Sequence, residues 1–230
     1  MQSEVFVTGG TGYIGRPLIG ALLGKGHRVH ALARPGSERR LPTAAVPVIG
    51  NVLDESSFAR SIPRGATLVH LVGAPHPSPA KAAEFRSVDL ASIRAACAAA
   101  QRAGVGHLIY LSVAHPAPVM MAYIAARQEG ELAVKATGIP ATILRPWYVL
   151  GPGHRWPYAL LPIYALLRLL PATRASAERL GLVTRDQMVG AMVGAVENPP
   201  DSGVRIVEVP DIRRGRQNLS QRQEAEISHR

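Results

Sequence analysis

Residues 5–19 read VFVTGGTGYIGRPLI, and this stretch decides the fold. Its start completes a short β-rich run, EVFVT, and from Tyr13 onward apolar residues recur at helical spacing in YIGRPLIGALLGKG. Gly9, Gly12 and Gly15 fall at the junction, three residues apart. The first permits a tight turn, the second lets a ligand approach the backbone, and the third lets the helix pack against the strand. Exposed amides and the helix dipole then favour an anion, so the segment reads as a turn that holds a dinucleotide pyrophosphate.

Outward from this turn, strand-like and helix-like segments alternate, the pattern of a parallel sheet covered on both faces. RVHALAR, VPVIG, TLVHLVG, HLIYLSV and ATILRP supply the next five strands. DESSFARSI reads as a short acid-capped helix, residues 80–103 as a long alanine-rich helix ended by Gly104, and residues 122–137 as another that stops at Gly138. Past Pro146 the pattern loosens: WYVLGPGHRWP is loop-like, followed by an apolar helix, the short GLVT, a helix over 185–197 and the strand VRIVEV. The expected fold is α/β, a Rossmann-type doubly wound parallel sheet in one domain over 1–210. Residues 151–200 form a small appendage on the substrate side, and 211–230 a polar tail, frayed or a peripheral helix.

At 230 residues and 47% hydrophobic content the chain can bury one α/β core. Its single cysteine, Cys97, lies in the alanine-rich run and cannot pair within the chain, which suits a reducing cytoplasm. No signal core follows Met1 and no long uncharged apolar run occurs, so a soluble, cytoplasmic protein is expected. Residues 157–170, PYALLPIYALLRLL, are the most apolar part after the strands; a packed helix or pocket lid is the leading reading, membrane contact or an oligomer interface the alternatives. The net charge of +10 favours anionic ligands. It does not read as a specific nucleic-acid surface, because the arginines are scattered and no stretch interleaves basic and aromatic residues.

The end of the second strand selects the dinucleotide. A carboxylate there would accept from free ribose hydroxyls, whereas an arginine neutralises a 2′-phosphate. The strand ends at Arg34, with Arg39 and Arg40 close behind, so NADP is expected and NAD is the alternative.

The spacing TGGTGYIG resembles the atypical and extended short-chain dehydrogenase/reductase superfamily, which includes epimerase/dehydratase-like and NmrA-like proteins. GNVLDESSF is similar to its adenine-contacting turn, GVGHLIYLSV to the strand bearing its serine, and TILRPWYVLGPG to the passage beyond its active site. The resemblance implies that Thr11, Tyr13 and Ile14 line the pyrophosphate turn, Asn51 and Val52 the adenine pocket, and Gly73 and Ala74 the ribose. Asn51 stands where the superfamily usually has aspartate, but an amide still donates and accepts.

The resemblance also implies a tyrosine acid/base four residues before a lysine. Here Tyr123 is followed by Arg127, which keeps the charge but not a lysine's capacity to relay a proton. Ser112 corresponds to the serine that orients the substrate oxygen, and Arg127 to the residue that holds the cofactor ribose. His76, His115 and His154 match no metal-ligand spacing, and Glu129 and Glu131 read as solvated or arginine-paired. Trp147, Tyr148 and Trp156 suggest an aromatic-lined cavity. The leading expectation is an NADP-dependent oxidoreductase acting on a small apolar carbonyl or alcohol. The chain is short for sugar-nucleotide epimerase or dehydratase chemistry. The rival from another class is a protein that binds NADP without turning it over, as a redox sensor or accessory subunit.

Overall fold

Apolar runs that alternate between two covered faces can only form a sheet with helices on both sides, and a computed structural model of the chain shows this sheet. It describes residues 2–74, 77–117, 119–152 and 179–215. In chain order the main elements are β1 (Glu4–Thr8), α1 (Gly15–Gly24), β2 (Arg28–Ala33), β3 (Val46–Ile49), β4 (Thr67–His70), α2 (Ala91–Ala103) and β5 (His107–Leu111). Then follow α3 (Met121–Ala136), β6 (Ala141–Arg145), β7 (Tyr148–Leu150), β8 (Leu182–Thr184), α4 (Arg185–Glu197) and β9 (Val204–Glu208). Seven strands form one sheet in the order β3-β2-β1-β4-β5-β6-β9, and every pair is parallel.

Successive strand residues point to opposite faces. Val5, Val7, Val69, Ile109 and Leu144 therefore pack with Leu18, Ile19 and Leu22 of α1 and Met188, Met192 and Val193 of α4. Phe6, Leu68, Leu108, Tyr110 and Ile143 face Ile93, Ala96 and Ala100 of α2 and Val134 of α3. Small residues let these helices come close. A methyl group at Gly130 of α3 would lie 2.5 Å from the Tyr110 hydroxyl oxygen.

The strands and long helices fall where the sequence places them, with three differences. DESSFARSI forms two short 3-10 turns, Glu55–Ser57 and Ala59–Ser61, the first capped by Asp54, whose carboxylate accepts from Ser56 N at 3.0 Å. The segment before α2 is π-helical over Phe85–Leu90. Part of the supposed loop after Pro146 is β7, which pairs in parallel with β8 as a second, two-stranded sheet.

The polar tail begins as packed structure: residues 209–215 are helical, Ile212 is fully buried, and Arg213 donates to the Leu182 carbonyl at 2.7 and 2.9 Å. The apolar segment 157–170, Trp156, His76, His154 and residues 216–230 lie outside the described residues. Among the described residues no helix is long and apolar enough to cross a membrane.

Candidate functional site

At the carboxyl end of β1, Gly9 turns the chain with φ +77°, and Gly12 N donates to Gly9 O at 3.0 Å. A methyl group at Gly15 would sit 2.3 Å from Gly9 O and 2.7 Å from Gly10 Cα, so only glycine lets α1 start against the turn. No side chain caps α1 and no acid lies in its first turn, but Arg16 N donates to Gly12 O at 3.2 Å, Leu18 N to Ile14 O at 3.1 Å, and Pro17 has no N–H, so an anion would be met by the amides of the turn itself and by the helix dipole. Thr11, Tyr13 and Ile14 form the rim of this turn and are half-buried. The bare backbone cradle fits a dinucleotide pyrophosphate.

Beside it opens a cleft of about 650 Å³ lined by Thr11, Gly12, Tyr13, Arg16, Pro17, Arg40, Pro42 and Arg185. Arg40 donates to the Thr11 carbonyl at 3.4 Å, and the Arg185 guanidinium carbon lies 5.6 Å from the centre of the Tyr13 ring. Arg34 is exposed one residue past β2 and does not line this cleft. Arg16 and Arg185 were missed by the sequence reading; Arg16 had a local signal, its place directly after Gly15, and Arg185 had none.

On the adenine side, exposed Asn51 accepts from Leu53 N at 3.1 Å through its side-chain oxygen, and its own amide donates to Ser57 Oγ at 2.9 Å. Val52 packs with the core that contains Phe58.

Gly73 and Ala74 follow β4 directly above a buried charge cluster. Asp89 is fully buried; its Oδ1 lies 2.7 Å from Arg127 Nη2, and its Oδ2 accepts from Ala74 N at 2.8 Å. Arg127 Nη1 donates to Leu111 O at 2.9 Å and to Val72 O at 3.4 Å. Its guanidinium carbon lies 5.2 Å from the Tyr123 ring centre and 5.8 Å from that of Tyr110. The structure thus sets Tyr123 and Arg127 one turn apart on α3, with the arginine turned to protein partners. Burial raises the Asp89 carboxyl above its ordinary value against the pull of Arg127, and pushes the Tyr110 phenol up to about 12.

Ser112, 3% exposed, donates its hydroxyl proton to Glu131 Oε1 at 2.7 Å. A hydroxyl committed in this way can accept from an alcohol but has no proton for a carbonyl oxygen. Glu131 also receives Arg145, whose Nε lies 2.9 Å from Oε1 and whose Nη1 reaches Glu208 Oε1 at 3.0 Å. His115 Nε2 lies 3.4 Å from the same carboxylate. Burial acts to raise the Glu131 carboxyl, but the hydrogen bonds from Arg145 and Ser112 and the charge of Arg145 hold it below its ordinary value.

Glu131 is therefore arginine-paired, and Glu129 pairs with Arg86 and Arg94 at 3.5 Å. Trp147 and Tyr148 meet edge to face with centroids 5.6 Å apart. Asp89, Arg145 and Glu208 were not foreseen as site residues. Asp89 lies within the alanine-rich helix expected over 80–103 and Arg145 within TILRPWYVLGPG, but neither stretch carries a local sign of its charged partner.

The seven-stranded parallel sheet, with a glycine turn opening onto its carboxyl edge, defines a Rossmann-type nucleotide-binding protein. The chain belongs to the NAD dependent epimerase/dehydratase family, whose model matches residues 5–177, and so to the short-chain dehydrogenase/reductase superfamily. It is 29% identical over 216 residues to a ceramide reductase of Caulobacter vibrioides, covering 93% of this chain and 66% of that protein, just under two thirds. A 3-diazoavenalumate denitrifying reductase from Streptomyces is 30% identical over 227 residues, covering 85% of this chain and 72% of the relative. A solved short-chain dehydrogenase/reductase superfamily protein from Agrobacterium tumefaciens with bound NAD superposes with a TM-score of 0.65 at 19% identity, over 88% of this chain and 76% of that one.

Proposed function

We propose that this chain is an NADP-dependent oxidoreductase that interconverts a small, fairly apolar carbonyl and its alcohol. The observation that carries the reading is the cleft at the glycine turn, where Arg16, Arg40 and Arg185 converge and none of them has an acidic partner among the described residues. The glycine turn and the α1 dipole already suit a pyrophosphate; three further guanidinium groups suit a ligand with an additional dianionic phosphate. The curated relatives named as reductases support redox chemistry.

When bound, the dinucleotide supplies or accepts the hydride. In the reductive direction Tyr123 gives its phenolic proton to the carbonyl oxygen as the C–H bond forms, and in the oxidative direction it takes that proton back. Ser112 orients the substrate oxygen by turning its hydroxyl proton from Glu131 to that oxygen. Gly73 and Ala74 bound the ribose, Asn51 and Val52 the adenine, and NAD is the weaker cofactor. The partner is a small-molecule substrate, in a cytoplasmic protein without a specific nucleic acid, with membrane contact through 157–170 and an oligomer as the alternatives.

A second reading, NADP binding without turnover, is favoured by one feature: Arg127 is spent on Asp89 and two carbonyls. A panel of carbonyls with NADPH, followed by absorbance, separates the two. Oxidation of NADPH that falls at least a hundredfold in Tyr123→Phe, with NADPH affinity kept, is the expected outcome. Tight binding with no oxidation across the panel would establish the second reading, and full activity in Tyr123→Phe would remove Tyr123 from the mechanism.

A further inference from the structure

Asp89 has no part in the chemistry above, yet it is fully buried and ionisable, at the end of the π-helical stretch Phe85–Leu90. A π-helical turn inserts a residue into a helix and re-aims its side chains, and such turns concentrate at working sites. Here the re-aimed carboxylate meets Arg127 with one oxygen and Ala74 N with the other. Arg127 spans the carbonyls of Val72 and Leu111, so one guanidinium ties the ends of β4 and β5 to α3 and to the π-helical segment.

Resting on the reductase reading, we propose that Asp89 is a positioning residue. With Arg127 it forms a strut that fixes both the Tyr123 ring and the Gly73–Ala74 backbone. Tyr123 touches both elements that this strut joins: Phe85, from the same π-helical segment as Asp89, has its ring centre 5.0 Å from that of Tyr123, and the Arg127 guanidinium carbon lies 5.2 Å from the Tyr123 ring centre. The backbone is held as closely: a methyl group at Gly73 would lie 2.1 Å from Arg127 Nη2 and 3.1 Å from Asp89 Oδ1.

Stability alone does not demand this pair. Apolar residues of similar volume usually serve a core as well, whereas an ion pair with directional hydrogen bonds specifies one geometry. Arginine suits the task because its planar fork bridges a carboxylate and two carbonyls at once, which an ammonium on a flexible stem does not. In this arrangement Arg127 bears on the cofactor through Gly73 and Ala74 from beneath.

The test is a double-mutant cycle on the full-length chain with NADPH and a carbonyl it reduces. Asp89→Asn keeps the shape and an acceptor for Ala74 N, and Arg127→Lys keeps the charge but not the fork. Each should lower kcat at least tenfold with the carbonyl KM and NADPH Kd within about threefold of wild type. The double variant should be no worse than the poorer single one, because both remove the same strut. An unchanged kcat, a loss confined to KM or Kd, or losses that multiply in the double variant overturns the proposal.

If Asp89→Asn does not fold, Gly73→Ala presses on the guanidinium from the other side; a tenfold lower kcat with NADPH Kd within about threefold of wild type supports the strut, and an unaltered kcat or a loss confined to Kd overturns it. Wild-type protein that binds NADPH but leaves it unoxidised with every carbonyl of the panel sinks the reductase reading and the strut with it, whereas normal wild-type turnover with unaffected variants sinks the strut alone.

Discussion

Arg34 and Arg40 lie six positions apart and have different surroundings: Arg34 is exposed past β2, whereas Arg40 lines the cleft and touches the Thr11 carbonyl. The two positions give a residue-level test of cofactor choice. Arg40→Glu should weaken NADPH at least tenfold more than NADH in fluorescence titrations, and Arg34→Glu should discriminate less. An equal loss for both nucleotides at Arg40 would assign that residue to the shared pyrophosphate and remove it from NADP selection. At this scale the glycines were readable because their spacing encodes a backbone demand, visible at Gly15 as the 2.3 Å approach to Gly9 O. Roles that depend on a distant partner were not readable. Nothing local to Ser112 points to Glu131, nineteen positions away, and nothing near Arg127 in sequence points to Asp89.

Helix α3 carries two opposite charges one turn apart on its buried side, Arg127 and Glu131, and each anchors the helix to strand ends. Arg127 reaches the ends of β4 and β5, and Glu131 reaches Ser112 and Arg145 at the ends of β5 and β6. Removing one member of such a buried pair leaves the other without compensation. Glu131→Gln should therefore lower unfolding stability by about 3 kcal/mol in urea titrations. A loss below about 1 kcal/mol would show that the network is solvated enough to be dispensable. The strands and long helices were legible because period 2 and period 3.6 are local properties. The π-helical stretch over Phe85–Leu90 was not, since it is set by the burial of Phe85 and Asp89 against partners from other elements. β7 was missed for a related reason: its three residues become a strand only when β8 arrives from more than thirty positions away.

Over the whole molecule, two histidines sit inside the sheet in neutral form. His70 is bonded to Thr8 and Ser92, and burial with the nearby Arg127 charge pushes it down to about 3. His107 pairs with Thr142, and burial with Arg205 pushes it down to about 4. Both values lie below the ordinary 6.5, so the unfolded chain binds more protons between roughly pH 4 and pH 6.5, and stability falls as the pH drops through that window. Two such groups should cost about 4 kcal/mol between pH 7 and pH 5. Urea titrations at the two pH values check this, and equal stabilities would mean that the histidines are protonated without cost. The fold class was legible at this scale because the βα alternation extends along nearly the whole chain. The arginine cleft was not, because Arg16, Arg40 and Arg185 come together only when α4 packs beside α1. Calorimetric titration of the full-length chain with NADPH and NADH, repeated on Gly15→Ala, tests the central claim most directly. One-site binding, with NADPH at least tenfold tighter and both nucleotides lost in Gly15→Ala, is the predicted result; no binding, or binding that the substitution leaves untouched, would contradict it.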